Sequence, residues 1–348
     1  MIFLNKRVLV ITSRGHLNLY KTGFLNYAKK NNFKIDFFIV DYPPKRNVLL
    51  HLLYKYNILN YLNNYYEDLR KKLLSILNNY DEILVINLFF DRCYFIDNKL
   101  KLAIKNKKSV LMFVDSIKSL PREVKFFDIF NKIFSFEYRD IEYAKRKFNV
   151  NLNYIFIGTN YNLYKTLKEE KEYDLCFVGL ATPKRIEYLT QVAKYCEENG
   201  KKFFCSGHFW HNSNFWNRFW GEIKFKKKNP ILAKYVRNIF ISPKELAQVY
   251  KNSKICLNIN VEQHKGFNPR NFDIMCVGSL LLTDKQDLSG IKLKPNEDFV
   301  MSNSSQEMIN YIDYYLNDFQ KCNFIANCGK RKVIVHYLFE DTLNEIFN

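Results

Sequence analysis

The sequence predicts an α/β protein built from two doubly wound domains. Short apolar runs alternate with helical patterns along the whole chain, which is typical of βαβ units around a parallel sheet. Several of these runs are β-branched or aromatic and lack strict polar alternation, as strands buried on both faces do. At 348 residues the chain is also too long for one ordinary hydrophobic core.

Each half of the chain repeats the same order of elements. The strands predicted for the first half are Arg7–Ser13, Lys34–Asp41, Glu82–Leu88, Ser109–Asp115, Lys132–Phe136 and Asn153–Ile157. Between the second and third of them, apolar residues recur at three- and four-residue steps from Leu49 to Leu77 and predict a long helix. The strands predicted for the second half are Tyr173–Gly179, Lys202–Cys205, Asn238–Ile241, Lys254–Asn260, Ser279–Thr283 and Asp298–Met301.

Helices in the second half are marked by their start signals. They are predicted over Pro183–Asn199, Pro243–Asn252, Ser305–Asn317 and His336–Phe347. Proline at a first turn starts the first of these helices, and Ser242 is a good N-cap for the second.

A polar, charged stretch from Lys165 to Glu172 interrupts the pattern and is the predicted linker. The sequence thus predicts a first domain over 1–164, a second over 173–335 and a C-terminal helix over 336–348. Ligands of such sheets bind beyond the carboxyl ends of the strands, here expected in a cleft between the two domains.

The charge of the chain limits its partners. It has 54 basic and 35 acidic residues and a net charge of +19, which favours nucleic acid, anionic membrane or phosphorylated substrates. The chain is also rich in Lys, Asn, Ile, Phe and Tyr together, a bias that AT-rich genomes impose, so codon supply accounts for part of the charge. No apolar run approaches the roughly 18 residues of a membrane span, and the start predicts a strand rather than a signal peptide. A cytoplasmic location is expected.

Metal and cofactor motifs are absent from the sequence. Its eight cysteines show no CxxC pair and no metal spacing with histidine, which indicates buried free thiols in a reducing compartment. There is no HExxH, no DxD in an appropriate loop, no GxSxG and no P-loop lysine pattern. We therefore predict no metal site and no cofactor.

The segment from Gly266 to Asp284 is the most informative for function. It predicts a loop, a short helix and a buried strand. Asn268, Arg270 and the helix N-terminus would offer donors to a diphosphate, and Asp273 a carboxylate to ribose hydroxyls. This combination suits a sugar nucleotide.

The same segment resembles the CgeB-like (spore-maturation-type) glycosyltransferases. Their C-terminal domains carry a pattern close to Asn-x-Arg-x-Phe-Glu, followed by a small-residue Cys-Gly step and an apolar strand. The resemblance extends from Asp174 to His336 and, more weakly, from Ile83 to Asn160. It implies a GT-B fold and metal-independent transfer of a sugar from a nucleotide sugar to a bacterial cell-surface polysaccharide, lipopolysaccharide or capsule.

The resemblance also implies which residues bind the donor. Gly179 and Arg185 follow a strand at the start of a helix, where glycine allows close backbone approach and arginine can grip phosphate. Asp273 stands where the family usually has Glu. With Gly179, which its own position predicts, the expected diphosphate and ribose ligands are Arg185, Asn258, Asn268, Arg270, Asp273 and Glu297.

Three residues of the N-terminal half are candidates for the general base. His16 lies after the first strand, and a histidine there could take a proton from an acceptor hydroxyl. Asp115 ends the fourth strand, in an Asp-Ser pair that resembles one in related lipopolysaccharide-biosynthesis proteins, and Asp91 is the third candidate. An Asp-Ser pair after a strand is more often a helix cap than a base.

Alternatives remain open at this level. Trp210, Trp216 and Trp220 precede a basic run over Lys224–Lys228. This pattern suits an anionic membrane surface, single-stranded nucleic acid, or an aromatic satellite core beside solvated charges. For the whole chain, the alternatives are a nucleotide-sugar epimerase of the same fold, a basic nucleic-acid-binding protein and a scaffold. No RRM, KH or helix-turn-helix signature supports nucleic-acid binding.

Overall fold

The computed structural model describes residues 6–41, 65–87, 96–119, 123–207, 210, 215–239 and 241–348. The chain forms two compact units, Met1–Ile155 with Leu343–Asn348, and Phe156–Thr342. The predicted linker Lys165–Glu172 lies inside the second unit, where Lys171 Nζ donates to two backbone carbonyls at 3.0 Å each. The end of the chain returns to the first unit.

The first unit is a doubly wound domain around a six-stranded parallel sheet in the order β2-β1-β3-β4-β5-β6. Its strands are β1 Lys6–Thr12, β2 Phe33–Ile39, β3 Glu82–Ile86, β4 Lys108–Phe113, β5 Lys132–Ser135 and β6 Asn153–Tyr154. Its helices are α1 Arg14–Asn31, α2 over 65–77, α3 Asn98–Lys105 and α4 Tyr138–Phe148. All six strands predicted for this half are present.

The core of the first unit lies on both faces of the central strands. Leu9, Val85 and Phe113, from β1, β3 and β4, are almost fully buried, and Leu73 of α2 packs into the same cluster. The leucine pattern predicted α2 from the buried face of the helix. The part of that pattern before residue 65 lies outside the described residues.

The second unit repeats this architecture with a sheet in the order β12-β11-β10-β7-β8-β9. Its strands are β7 Tyr173–Val178, β8 Phe203–Ser206, β9 Val236–Arg237, β10 Ser253–Asn258, β11 Leu280–Asp284 and β12 Val300–Ser302. Its helices are α5 Pro183–Glu198, α6 Phe215–Lys228, α7 Pro230–Ala233, α8 Pro243–Lys251, α9 Pro269–Val277, α10 Ser305–Asn317, α11 Phe319–His336 and α12 Phe339–Phe347. The last of these crosses into the first unit at Leu343. Two doubly wound domains are therefore confirmed.

Two elements of the second unit differ from prediction. The ninth strand pairs Val236 and Arg237 with β8, immediately before the predicted Asn238–Ile241. The predicted helix His336–Phe347 is broken between α11 and α12. The break occurs because Thr159 donates its N–H to the Tyr337 carbonyl at 3.0 Å and accepts from the Phe339 N–H at 2.8 Å. A tertiary partner thus satisfies backbone groups that a continuous helix would pair internally.

Helix starts follow the predicted capping chemistry. Ser242 and Glu245 form a capping box at α8, and Ser304 caps α10 by accepting from the Glu307 N–H. Thr182 caps α5 in the same way, which places the first turn of that helix directly after β7. No helix in the described part of the chain has both the length and the apolar content to cross a membrane.

Candidate functional site

The donor-site residues predicted in the second unit gather at the carboxyl ends of β7 and β10. These two strands are neighbours in the sheet, yet the chain proceeds outward from them in opposite directions. The loop after β7 leads into α5, and the loop after β10 leads into α9. Such a topological switch point separates the two loops and opens a crevice for a ligand.

Arg185 is held rigidly at this edge. Its Nε donates to the Ile259 carbonyl at 2.7 Å and its Nη1 to the Leu180 carbonyl at 2.9 Å. The guanidinium carbon lies 5.5 Å from the centre of the Phe177 ring, and the residue is only 5% exposed. Burial, and then the charge of Arg270, lower the pKa of Arg185 to about 9. The side chain therefore stays cationic at neutral pH.

Arg270 reaches the same edge from the first turn of α9. Its Nη1 donates to Asn258 Oδ1 at 3.0 Å, and its backbone N–H donates to the capping oxygen of Asn268 at 3.1 Å. Asn258 is fully buried at the end of β10 and donates through Nδ2 to Asn268 and Asn271. Asn258 and Asn268 thus orient Arg270 and the start of α9.

The charge of this cluster is not balanced. Lys184 pairs with Asp284, which ends β11, is 1% exposed and accepts from the Asn260 N–H at 3.0 Å. Within the described residues, neither Arg185 nor Arg270 forms an ion pair with a carboxylate. After burial, the charge of Arg270 contributes to the lowered pKa of Arg185, and the charge of Asp284 partly opposes it. Two cations at the mouth of a crevice favour an anionic ligand.

The absence of a side chain at Gly179 leaves room for the Phe177 ring and the Arg185 guanidinium. A Cβ at this position would lie 3.3 Å from Nη1 of Arg185, so glycine leaves room for the guanidinium. The Gly179 carbonyl accepts from Trp210 Nε1 at 3.1 Å. Gly207, at φ +150°, approaches it so closely that a Cβ there would lie 1.9 Å from that carbonyl oxygen.

In the described part of the chain, the two predicted ribose ligands form no hydrogen bond or ion pair with Arg185 or Arg270. Asp273 accepts from Thr159 Oγ1 at 2.6 Å and from Tyr164 OH at 2.7 Å, and burial raises the pKa of its carboxyl. Glu297 is exposed beside Lys294 in the turn before β12, so it lies at the amino edge of the sheet, opposite the cluster. Neither position supports the predicted contact with ribose.

Sequence reasoning missed part of this polar network. Asn271 Nδ2 donates to Gln286 Oε1 at 2.7 Å, and Gln286 in turn donates to Thr283 at the end of β11. Asn260 joins the network by donating to the Gly266 carbonyl at 2.9 Å. The sequence signal that could have identified this network is the set of polar residues at or just after the ends of the buried strands β10 and β11, since these positions lie at the carboxyl edge of the sheet.

The first unit brings two of the three predicted base candidates together. His16 lies in the first turn of α1, with Nδ1 3.1 Å from Ser13 Oγ. Asp115, after β4, accepts from Asn87 Nδ2 at 2.7 Å. Burial lowers the pKa of His16, and the charge of Asp115 partly opposes this. Asp91 lies outside the described residues.

The tryptophan region divides into two environments. Trp210 is 4% exposed and meets Phe177 and Phe225 edge to face, at 6.3 and 6.0 Å between ring centres. This one belongs to an aromatic core. Trp220 on α6 is 59% exposed, and the side chain of Trp216 lies outside the described set.

Among the residues that the structure describes, no group of three His, Cys, Asp or Glu side chains could hold a metal ion. The described cysteines are all free, and six of the seven are buried, as predicted.

Comparison with known proteins finds a family model that matches the C-terminal part and solved structures with a similar fold. Residues 189–348 match the family model described as glycosyl transferase-like, a span that includes Asn258–Asp284 but begins after Arg185. No curated protein matches the sequence.

Solved structures match over the full length at low identity. Sucrose-phosphate synthase from Thermosynechococcus elongatus superposes with a TM-score of 0.67 at 10% identity, covering 98% of this chain and 97% of that one. Anabaena Alr3699/HepE in complex with UDP-glucose gives 0.64 at 11% identity and covers 98% of each chain. A glycosyltransferase from Rickettsia africae gives 0.62 at 12% identity, covering 99% and 97%.

Proposed function

We propose that this chain, a glycosyltransferase with the GT-B fold, moves a sugar from a uridine diphosphate donor to a bacterial cell-surface glycan. The uridine nucleotide is proposed because two similar structures, of HepE and of Staphylococcus aureus MnaA, were solved with UDP or UDP-glucose. The CgeB-like pattern around Arg270 supports an acceptor from polysaccharide, lipopolysaccharide or capsule synthesis.

The convergence of Arg185 and Arg270 without an ion-pair partner carries the proposal. Keeping two guanidinium groups together in a partly buried site is unfavourable unless an anion joins them. A diphosphate at this edge would accept charge-assisted hydrogen bonds from both and would meet the N-terminus of α9. The donor therefore binds the second unit in this proposal.

The same groups would stabilise the departing nucleotide. Negative charge grows on the diphosphate as the bond to the sugar breaks, and donors that are already in place stabilise it without reorganisation. Arg185 is fixed by two backbone carbonyls, and Arg270 by Asn258. These fixed cations supply the charge that a divalent ion supplies elsewhere, which supports metal-independent transfer.

The acceptor hydroxyl would be activated in the first unit by His16. Because burial lowers its pKa, the imidazole is neutral at neutral pH and can accept a proton. Nδ1 faces Ser13, so Nε2 is the nitrogen proposed to take the proton. The charge of Asp115 would stabilise the imidazolium that forms.

Contact with an anionic membrane is proposed through α6. Trp220 and Ile223 are 59% and 42% exposed, and Lys224 and Lys226–Lys228 follow on the same helix. Exposed aromatic and apolar groups beside lysines suit an acidic lipid surface. Flotation with liposomes tests this: binding should require anionic lipid and be lost when Lys227 and Lys228 are changed to Glu.

Calorimetric titration with UDP-glucose, UDP-GlcNAc and other nucleotide sugars tests the donor site. Arg270→Ala should weaken the best donor by about 10- to 100-fold, the range expected for a charged hydrogen bond. The control is Arg331→Ala, since that arginine is exposed on α11 and donates a hydrogen bond to Cys328 on the same helix. Equal losses in both variants, or no binding of any nucleotide sugar, would contradict the proposal.

A transfer assay separates this enzyme from an epimerase of the same fold. With donor and no acceptor, a glycosyltransferase should leave the sugar configuration unchanged and release nucleotide only slowly. An epimerised nucleotide sugar as the product would overturn the assignment of a transferase.

A further inference from the structure

A basic groove runs along α4 in the first unit and is lined by none of the proposed donor or base residues. It has a volume of about 520 Å³, within the size range of small-ligand sites. Its lining is Lys118, Arg139, Glu142, Tyr143, Arg146 and Lys147. Five of these residues recur at three- and four-residue steps and so share one face of the helix. We call this feature the α4 groove.

The α4 groove concentrates positive charge. Four cations line it against one carboxylate, and Glu142 is already paired with Arg146 at the surface. Lys118 Nζ lies 5.1 Å from the centre of the Tyr143 ring, and Lys147 Nζ lies 5.3 Å from it and 3.1 Å from its hydroxyl. The Tyr143 ring thus holds two ammonium groups near each other through cation–π contacts, which offset part of their mutual repulsion.

The groove is tied to the loop that carries Asp115. Asp140, fully buried on α4, accepts from Ser116 Oγ at 2.7 Å and from the Ile117 N–H at 2.8 Å. Ser135 Oγ donates to the same carboxylate at 2.8 Å. Because Lys118 follows Asp115 by three residues, the two Cα atoms lie at most about 11 Å apart. The proposed base site and the groove are therefore neighbours on one braced loop.

We infer that the α4 groove binds phosphate or carboxylate groups of an anionic glycan, the acceptor of the transfer reaction. That this glycan is the acceptor rests on the proposed function, whereas its binding to the groove does not. A hydroxyl placed at His16 and Asp115 would leave the next charged unit of such a glycan beside Lys118. Tyr143 and Glu142 would add hydrogen-bonding groups for sugar hydroxyls.

The surroundings of the groove favour a glycan over other polyanions. Single-stranded nucleic acid needs open aromatic faces for stacking, but the Tyr143 ring is covered by two lysines and meets Phe148 edge to face at 5.7 Å. A membrane surface needs exposed apolar groups, and none of the six lining residues is an exposed large hydrophobic side chain.

The test is calorimetric binding of hexagalacturonate, a six-unit carboxylated glycan, to the full chain, with maltohexaose as the neutral probe. We expect binding of the carboxylated oligomer only. Lys118→Glu and Lys147→Glu should weaken it at least tenfold, and Lys147→Gln should weaken it less. Lys145→Glu is the matched control, because it makes the same charge change on the same helix, at an exposed position outside the groove. Its effect should stay within twofold.

Three results would overturn the inference: no binding of the oligomer, equal weakening by Lys145→Glu, or tighter binding of a single-stranded oligonucleotide or acidic vesicles through the same lysines. Titration with UDP-glucose runs in parallel and should give unchanged donor affinity in every groove variant. If the wild-type chain binds the oligomer but no nucleotide sugar, glycan binding by the groove is supported and the proposed function is contradicted. If it binds a nucleotide sugar but not the oligomer, only glycan binding by the groove is contradicted.

Discussion

Replacing Asp273 with alanine separates the structural role of this carboxylate from the ribose contact that the family pattern implies. The substitution leaves Thr159 Oγ1 and Tyr164 OH without their acceptor, and Thr159 is only 2% exposed. Each buried donor left unpaired costs about 1–3 kcal/mol. Removing a carboxylate that is costly to bury offsets part of this, so we expect a net loss of about 2–4 kcal/mol of unfolding free energy.

The assay is urea unfolding of the full chain, followed in the transition that UDP-glucose shifts, since a ligand stabilises the unit that binds it. We expect Asp273→Ala to lower the midpoint of that transition while the donor dissociation constant changes less than twofold. Arg270→Ala should leave the midpoint of that transition nearly unchanged and raise the donor dissociation constant. If Asp273→Ala unfolds like the wild type but binds the donor more weakly, the structural role of Asp273 is refuted and a contact with ribose is supported.

The pH dependence of stability provides an independent check on Asp273. Burial raises the pKa of its carboxyl above the usual 3.8, so the folded state holds this proton more tightly than the unfolded state. Its contribution to stability is therefore complete below the unfolded pKa and is lost as pH rises through the folded pKa. Asp273→Asn should remove this decrease. An unchanged pH profile in that variant would show that another group titrates.

Three further predictions follow from positions elsewhere in the chain. Gly207→Ala should cost more than about 2 kcal/mol in thermal unfolding because its Cβ would strike a backbone carbonyl, whereas Gly200→Ala, at φ +61° with open space around it, should cost about 1 kcal/mol. If the two variants melt alike, the close approach is not what requires glycine. The transfer rate should fall on acidification below pH 6.5 as His16 becomes protonated, and Asp115→Asn should move this limb to lower pH because the lost charge favours the imidazolium; a shift to higher pH would contradict the coupling. Among the described cysteines, Cys328 should react first with iodoacetamide in mass-spectrometric mapping, since it alone is not buried. Earlier labelling of a buried cysteine would show local opening.

Much of the fold was predictable because it depends on local patterns. Continuous apolar runs marked the buried strands, and Ser242 and Pro183 marked helix starts as a capping side chain and as a first-turn proline. Arg270 and Asn268 could be assigned to the carboxyl edge of the second sheet for the same reason, since a loop after a buried parallel strand must emerge at that edge. The ninth strand was displaced because pairing with β8, and not its own composition, sets its register.

The sequence by itself determined the two doubly wound domains and the strand ends at which polar residues collect. Tertiary structure alone decided which of these residues share a site. Asp273 follows Arg270 by three positions, yet its carboxylate is taken by Thr159 and Tyr164, more than 100 residues away along the chain. The α4 groove likewise depends on Lys118 meeting Tyr143 through space. Periodicity reports which face of an element is buried, whereas a side chain's partners depend on contacts between segments distant in sequence.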